Sequence, residues 1–299
     1  MSGVRSAGSG AGKVARRPEQ LERVPRAVAI GTFDGVHRGH RRVIEAALAA
    51  GRRPTVVTFD PHPRSVLGAP VGLLTSVKRR VELLMGLGIE DVLVLRFDKE
   101  LAALAPEAFA AGILEAIGTE VVAAGEGFRF GHGRRGDLDL LERLGYDVRR
   151  VPLVESVSSS RVRALLASGD VERAAQLLGR PAEVEGTVVH GAHRGARLGF
   201  PTANLTVPPE LLVPELGIYA GAALGRRAAV SIGTNPHYGG TEPRAEAYLL
   251  DFEGDLYGQR LVVELWQRLR DEAAFGSEAE LVAAIGEDVA RTRAAVRPG

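Results

Sequence analysis

The sequence predicts an α/β domain built on a doubly wound parallel sheet (Rossmann-like), followed by a small antiparallel β-barrel or sandwich with one closing helix. Three observations predict it. Through residues 27–151, short apolar runs alternate with helical patterns, the order that builds a parallel sheet with helical crossovers. From residue 182 onward, short strand-like runs follow one another without helices between them, split by Gly, Pro and Asn turns, an antiparallel pattern. One last helical pattern runs over residues 278–296.

Taken in order, residues 1–12 are rich in Gly, Ser and Ala, and the stretch 1–25 reads as a disordered tail. Strand-like runs fall at 27–31, 55–59, 92–97, 120–124 and 147–151, with helical patterns at 41–50, 77–87, 106–117 and 137–145. Residues 160–179 continue as helix with a break at Gly169, and Gly179-Arg180-Pro181 stops it. That stop sets the expected domains at 26–181 and 182–299. In the second, strand-like runs fall at 188–189, 217–220, 228–232, 245–250 and 261–265.

Composition narrows the function classes. A chain of 299 residues with 45% hydrophobic content can fill sizeable cores. A net charge of +1 speaks against a globally basic nucleic-acid binder. The absence of cysteine excludes disulfides, thiolate-bound zinc and thiol nucleophiles, and fits a reducing cytoplasm. No apolar run reaches the roughly 18 residues of a membrane span, and the first 18 residues lack the apolar core of a secretory signal. Gly8 to Lys13 has the look of a P-loop but fails as one. Val14 stands where a metal-binding Ser or Thr should follow the lysine, and no strand precedes it. The expected partners are small molecules, with neither nucleic acid nor membrane; self-association stays open.

Directly after the apolar run 27–30 comes Gly31-Thr32-Phe33-Asp34-Gly35-Val36-His37-Arg38-Gly39-His40. A strand ends in a Gly-rich turn that opens a helix, and such helix starts offer free N–H groups to anions. His37 and His40 are three apart and share one helix face. A lone histidine there is most often a cap or is solvated; the strand, turn and helix context points instead to phosphate handling. In such sheets ligands bind beyond the carboxyl ends of the strands. Thr58-Phe59-Asp60-Pro61-His62-Pro63, Phe128-Arg129-Phe130-Gly131 with Arg134 to Asp137, and Ser158-Ser159-Ser160-Arg161-Val162-Arg163 follow further strands. The serine run reads equally as a helix cap or, with its arginines, as a phosphate fork.

A second constellation spans 186–205, with glycines at 191, 195 and 199, several basic residues, and then Phe200-Pro201-Thr202-Ala203-Asn204. Thr202 and Asn204 are two apart, so an extended chain points both the same way. Both carry oxygens suited to Mg²⁺ or phosphate. Gly233-Thr234-Asn235-Pro236 follows a strand-like run, and Glu246 sits among Ala247, Leu249 and Leu250. A carboxylate in that company is either on an outer face or functional. Asp251, Glu253 and Asp255 read as a solvated hairpin.

The ten-residue histidine motif resembles the signature of the nucleotidylyltransferase superfamily. With the Phe-x-Phe-Gly and Ser-Ser-Ser-Arg segments it resembles the adenylyltransferase half of the prokaryotic bifunctional riboflavin kinase/FAD synthetase family. Gly-Phe-Pro-Thr-Ala-Asn, Gly-Thr-Asn-Pro, the run Leu249 to Gly258 and Arg268-Leu269-Arg270-Asp271-Glu272 resemble that family's riboflavin kinase module, a small β-barrel. The resemblance covers about 27–296 in the family's domain order. It implies an enzyme that makes FMN from riboflavin and ATP, then FAD and pyrophosphate from FMN and ATP, both with Mg²⁺. It implies catalytic roles for Glu246, His37 and His40. For ATP and FMN in the first half it implies Gly31, Phe33, Asp34, Gly39, Phe128, Arg129, Ser159, Ser160 and Arg163. For ATP and riboflavin in the second it implies Gly191, Gly199, Pro201, Thr202, Asn204, Asn235 and Arg268, with Thr202 and Asn204 on the metal. Two departures accompany it in the first half, and a small one in the second, where Ala196 stands at a position commonly Arg and Arg197 follows one place on. Gly127 stands where the family usually has Asp or Asn, and the loop before Ser158 is short. A kinase with a weakened adenylyltransferase half is the nearest alternative reading; a non-catalytic flavin or nucleotide sensor is the remoter one.

Overall fold

A computed structural model of the chain describes residues 12–191, 194–234 and 243–299. Packing divides these into two compact units. The first comprises the described residues up to Val71 and Thr75–Glu155; the second comprises Gly72–Leu74 and Ser156–Gly299.

In the first unit, β1 (Lys13–Ala15), β2 (Arg26–Ile30), β3 (Arg53–Asp60), β4 (Asp91–Arg96), β5 (Thr119–Gly125) and β6 (Asp147–Val151) form one sheet in the order β1-β4-β3-β2-β5-β6. Every pairing is parallel. The helices are α1 (Arg38–Leu48), α2 (Pro63–Val66), α3 (Val77–Gly86), α4 (Lys99–Ala103), α5 (Pro106–Phe109, continuing as a π-type turn over Ala110–Glu115) and α6 (Leu138–Arg143). Alternate residues of β2 feed two cores. Ala27 and Ala29 meet Val43 and Ile44 of α1 and Leu84 of α3, while Val28 and Ile30 meet Phe109, Ile113 and Leu141. Burial on both faces is why these strands read as continuous apolar runs. Because β2 lies between β3 and β5, the strand order reverses there. The turn leaving β2 is thus at the switch point where such sheets bind ligands.

The expected disordered tail gives way from residue 12 onward; residues 1–11 lie outside the described residues. Lys13–Ala15 pair with Asp91–Leu93, and Leu21 is buried in the core. Isolated apolar anchors like these leave no periodic trace in a charged segment. At the amino end of the sheet, Arg26 and Asp91 are both almost fully buried. Arg26 donates to Asp91 (2.5 Å), Thr55 Oγ1 (2.9 Å) and the carbonyls of Ile117 (2.9 Å) and Glu22 (2.7 Å). Arg53 reaches the same carboxylate at 2.6 Å. Burial pushes Asp91 up, but Arg53, Arg26 and the Lys13 N–H outweigh it and hold the carboxyl below its usual range.

The second unit contains α7 (Ser159–Ala167), α8 (Val171–Leu178), β7 (Ala182–Val189), α9 (Arg194–Arg197), β8 (Ala203–Thr206), β9 (Gly217–Ala223), β10 (Arg226–Thr234), β11 (Pro243–Leu249), β12 (Arg260–Arg270) and α10 (Glu278–Ala294). The six strands close into an antiparallel barrel in the order β10-β11-β8-β7-β12-β9. Strands β9 and β12 approach so closely that a Cβ at Gly221 would lie 1.8 Å from the Glu264 carbonyl. Only glycine fits there. The packing boundary at Glu155/Ser156 lies well before residue 181, where the sequence places the domain boundary. Val162, Leu166, Val171, Ala174 and Leu178 share one core with Val184, Tyr219 and Leu265 of the barrel. Their periodicity announces helices but not which core they fill.

Candidate active sites

In the first unit the Gly31–His40 turn carries a buried polar cluster. Phe33, Asp34 and His37 are buried. Phe33 and Val36 take left-handed backbone angles, φ 50° and 42°, a strained conformation for side-chain-bearing residues. His37 caps α1, its Nδ1 accepting from the His40 N–H at 3.2 Å. The two imidazoles stack at 3.6 Å with 13° between their planes, and Phe33 meets His40 edge-on at 5.3 Å. Asp34 accepts from the Thr75 N–H at 3.2 Å, and Thr75 Oγ1 accepts from the Gly35 N–H at 3.2 Å. Arg80 of α3, also buried, donates to Thr58 Oγ1 (3.2 Å) and the Phe59 carbonyl (3.0 Å). Burial, then the neighbouring His37 and Arg80, hold His40 well below the usual imidazole range. His40 is therefore neutral at pH 7. His40 Nδ1 and Arg80 Nε are buried with no hydrogen-bond partner among the described residues. Gly31 packs under the Phe33 ring, and Gly39 lies in the first turn of α1.

Phe128 and Phe130 stack at 5.7 Å beyond β5, and Phe130 pairs with Gly136 through two backbone hydrogen bonds. Arg129 is held by Asp137 at 2.6 Å. A Cβ at Gly127 would meet open space. The serine run belongs to the second unit. Ser158 caps α7 by accepting from the Arg161 N–H, Ser159 and Ser160 form its first turn, and Arg163 donates to the Gly72 carbonyl at 2.7 Å.

In the barrel, Glu246 of β11 lies opposite Asn204 of β8 on one side and Ser231 of β10 on the other. Thr202 Oγ1 donates to Glu246 Oε2 at 3.3 Å, and Asn204 Nδ2 donates to the Thr202 carbonyl at 3.3 Å. A Cβ at Gly191 would come within 2.5 Å of the Asn204 side chain, so the loop after β7 lies directly against this group. Gly199, at φ 87°, turns the chain toward Phe200 and Pro201, and Phe200 meets Tyr248 edge-on at 5.5 Å. Thr202, Asn204 and Glu246 line a cavity of about 540 Å³ that Leu281 and Ile285 of α10 also line. Burial raises the Glu246 carboxyl above its usual range and Glu272 adds to this, while Thr202 and Arg244 oppose it. The Thr202 hydroxyl and the Asn204 amide oxygen are hard donors of the kind that suits Mg²⁺.

Asn235 lies outside the described residues. Arg268 is not among the described residues lining the cavity. It donates to the Leu216 carbonyl at 2.7 Å, pairs with Asp271 at 2.9 Å and lies against Gly169. Arg270, beyond a register shift in β12, lines the cavity and grips the Asp288 carboxylate with contacts of 2.7–3.2 Å. Bulges leave no sequence mark, so the two arginines could not be told apart beforehand. Arg80 and Thr75 were missed for another reason: each is a single polar residue inside or beside a helical pattern. Asp251 of the acidic hairpin pairs with Arg293.

The riboflavin kinase family model matches residues 178–296 and the FAD synthetase model residues 19–163. A bifunctional riboflavin kinase/FMN adenylyltransferase of Listeria monocytogenes is 34% identical, covering 91% of this chain and 92% of its own. Its Escherichia coli K12 counterpart is 35% identical, covering 92% and 95%. The chain belongs to this bifunctional family. A solved structure described as a macrolide-efflux protein from Streptococcus pneumoniae superposes on this bifunctional family member with a TM-score of 0.83 at 30% identity, over 94% of this chain and 98% of that one. Efflux is said of that protein. Among the described residues of this one, no helix is long and apolar enough to cross a membrane.

Proposed function

We propose that this chain phosphorylates riboflavin to FMN in its barrel unit and adenylylates FMN to FAD at the histidine turn, with ATP as donor in both steps. The observation that carries the reading is the coexistence in one chain of a raised carboxylate beside Thr202 and Asn204 in a barrel cavity, and a stacked imidazole pair at a sheet switch point.

In the kinase step, the ribityl 5′-oxygen bonds to the γ-phosphorus of ATP and the bond to the β-phosphate oxygen breaks. An alcohol is a poor nucleophile at pH 7, and Glu246 takes its proton as the new bond forms. Thr202 and Asn204 would hold Mg²⁺. Among the described residues no group of three or more His, Asp or Glu could hold a metal, which fits an ion bound largely by substrate phosphates. When bound, the ion neutralises charge on the phosphates.

In the adenylyl step, an FMN phosphate oxygen bonds to the α-phosphorus of ATP and pyrophosphate leaves. The attacking phosphate is already largely dianionic, with a second pKa of about 6, so no base is needed. Neutral His40 and the N–H groups opening α1 donate to phosphate oxygens without adding a buried cation. We assign nucleotide contacts to Phe128, Arg129, Ser159, Ser160 and Arg163, and to Gly191, Gly199 and Pro201 in the kinase, on the motif match. Lack of cysteine supports a reducing, cytoplasmic setting.

Riboflavin, ATP and Mg²⁺ incubated with the protein, with the flavins resolved by chromatography, test the reading. FMN followed by FAD is expected. FMN accumulating without FAD at any FMN concentration overturns the adenylyltransferase half.

A further inference from the structure

Arg80 is almost fully buried on α3, yet neither motif nor family resemblance gives it a role. A buried guanidinium is costly unless its surroundings use it. Its Nη1 donates to Thr58 Oγ1 and to the Phe59 carbonyl, at the carboxyl end of β3. The Thr58 hydroxyl in turn donates to the Thr32 carbonyl at 2.9 Å, inside the histidine turn. A second tie runs parallel to it, because Thr75, just ahead of α3, holds Asp34 and Gly35 of the same turn.

We propose that Arg80 is a positioning residue for adenylyl transfer, fixing through Thr58 the turn that presents His37 and His40. The proposal rests on the adenylyltransferase reading above. Its charge acts as well as its bonds. The charged and titratable groups bearing on His40 are His37 at the head of α1 and Arg80 from α3; Asp34 of the turn and Asp60 at the end of β3 act on Arg80. A fixed cation beside an imidazole disfavours imidazolium. Burial comes first and His37 next, and Arg80 adds to them in keeping His40 neutral; the neutral form gives way to imidazolium only as pH falls through a depressed pKa.

The test uses the full chain and three variants. In Arg80→Met the shape is roughly kept and the charge removed. The His40 ring resonances, followed by NMR against pH, should titrate at higher pH than in the native chain. The acid limb of kcat/KM for FAD formation should move up with them, and kcat should fall about tenfold or more. In Arg80→Lys the charge remains, so the His40 titration stays near native and part of the rate returns. Thr58→Val cuts the link but keeps the cation. It should lower FAD formation about tenfold while His40 titrates as in the native chain, and it carries the test if Arg80→Met does not fold. FMN formation should be unchanged in all three. An unmoved His40 titration in Arg80→Met, or native FAD formation in Thr58→Val, overturns the proposal. If the native chain makes no FAD, the underlying reading fails, while the His40 titration still reads the charge effect by itself.

Discussion

Replacing Glu246 with Gln removes a charge and a proton acceptor while keeping the side chain's size. Glu246 sits in mid-strand between Asn204 and Ser231 and accepts one hydrogen bond, from Thr202. A Gln oxygen can accept the same bond, so the barrel wall is kept. What disappears is the acceptor for the ribityl proton. General-base catalysis contributes about 10²–10⁴-fold, or about 3–5 kcal/mol in the barrier. FMN formation, followed by chromatography at saturating riboflavin and ATP, should drop by that factor, and FAD formation from supplied FMN should stay. Native FMN formation should fail as pH drops through the raised Glu246 pKa, above the ordinary carboxylate range. The stability sign is opposite to the activity sign. A carboxyl whose pKa is higher folded than unfolded favours the fold below its unfolded pKa, and that contribution is lost as pH rises through the folded value. The Gln variant should therefore unfold at or above the native temperature at pH 7, with the gain vanishing in acid. FMN formation within tenfold of native, or a lost rate accompanied by a lower unfolding temperature, would refute the assignment.

His40→Ala should depress FAD formation by about 10²–10³-fold, the usual cost of one donor at a charged transition state, and spare FMN formation in the same chromatographic assay. Gly191→Ala should raise KM for ATP or riboflavin in the kinase reaction, since the new Cβ would crowd the Asn204 side chain at 2.5 Å; steady-state kinetics with FAD formation as control reads this. Asp91→Asn should destabilise the first unit by about 3–5 kcal/mol by stranding buried Arg26, measured by denaturant unfolding followed through FAD formation. Because Asp91 titrates low in the native fold, its contribution is present above the unfolded carboxylate pKa and should fade as pH falls through the folded one.

Much of this architecture was legible in the residues. Every strand of the parallel sheet from β2 to β6 lies within a few residues of an apolar run, and the Gly169 break separates α7 from α8 where expected. Glu246, Thr202 and Asn204 do converge on one cavity. What escaped were features set by tertiary contacts. β1 is three residues long and held by the edge of β4. β8 hides behind Pro201 in a Gly-rich stretch. The facing of Arg268 and Arg270 depends on a strand irregularity. Arg80 is a charged residue at a helix position that a pattern reading assigns to solvent, and only the fold shows it buried.

Leu73 carries a consequence for how the chain is made. It pairs with Leu211, exchanging hydrogen bonds with Glu210 and Leu212 at 2.7 and 2.8 Å. Residues 210–212 emerge from the ribosome about 140 residues later, on the order of 10–30 s at ordinary elongation rates. Through that interval Leu73 lacks these two bonds, while Thr75, two residues on, anchors the histidine turn. The nascent first unit can assemble its sheet early, while Leu73, which belongs to the second unit, waits for residues 210–212 to be translated. Slowing elongation between residues 75 and 210 should lengthen the time during which a protease can cut near Leu73.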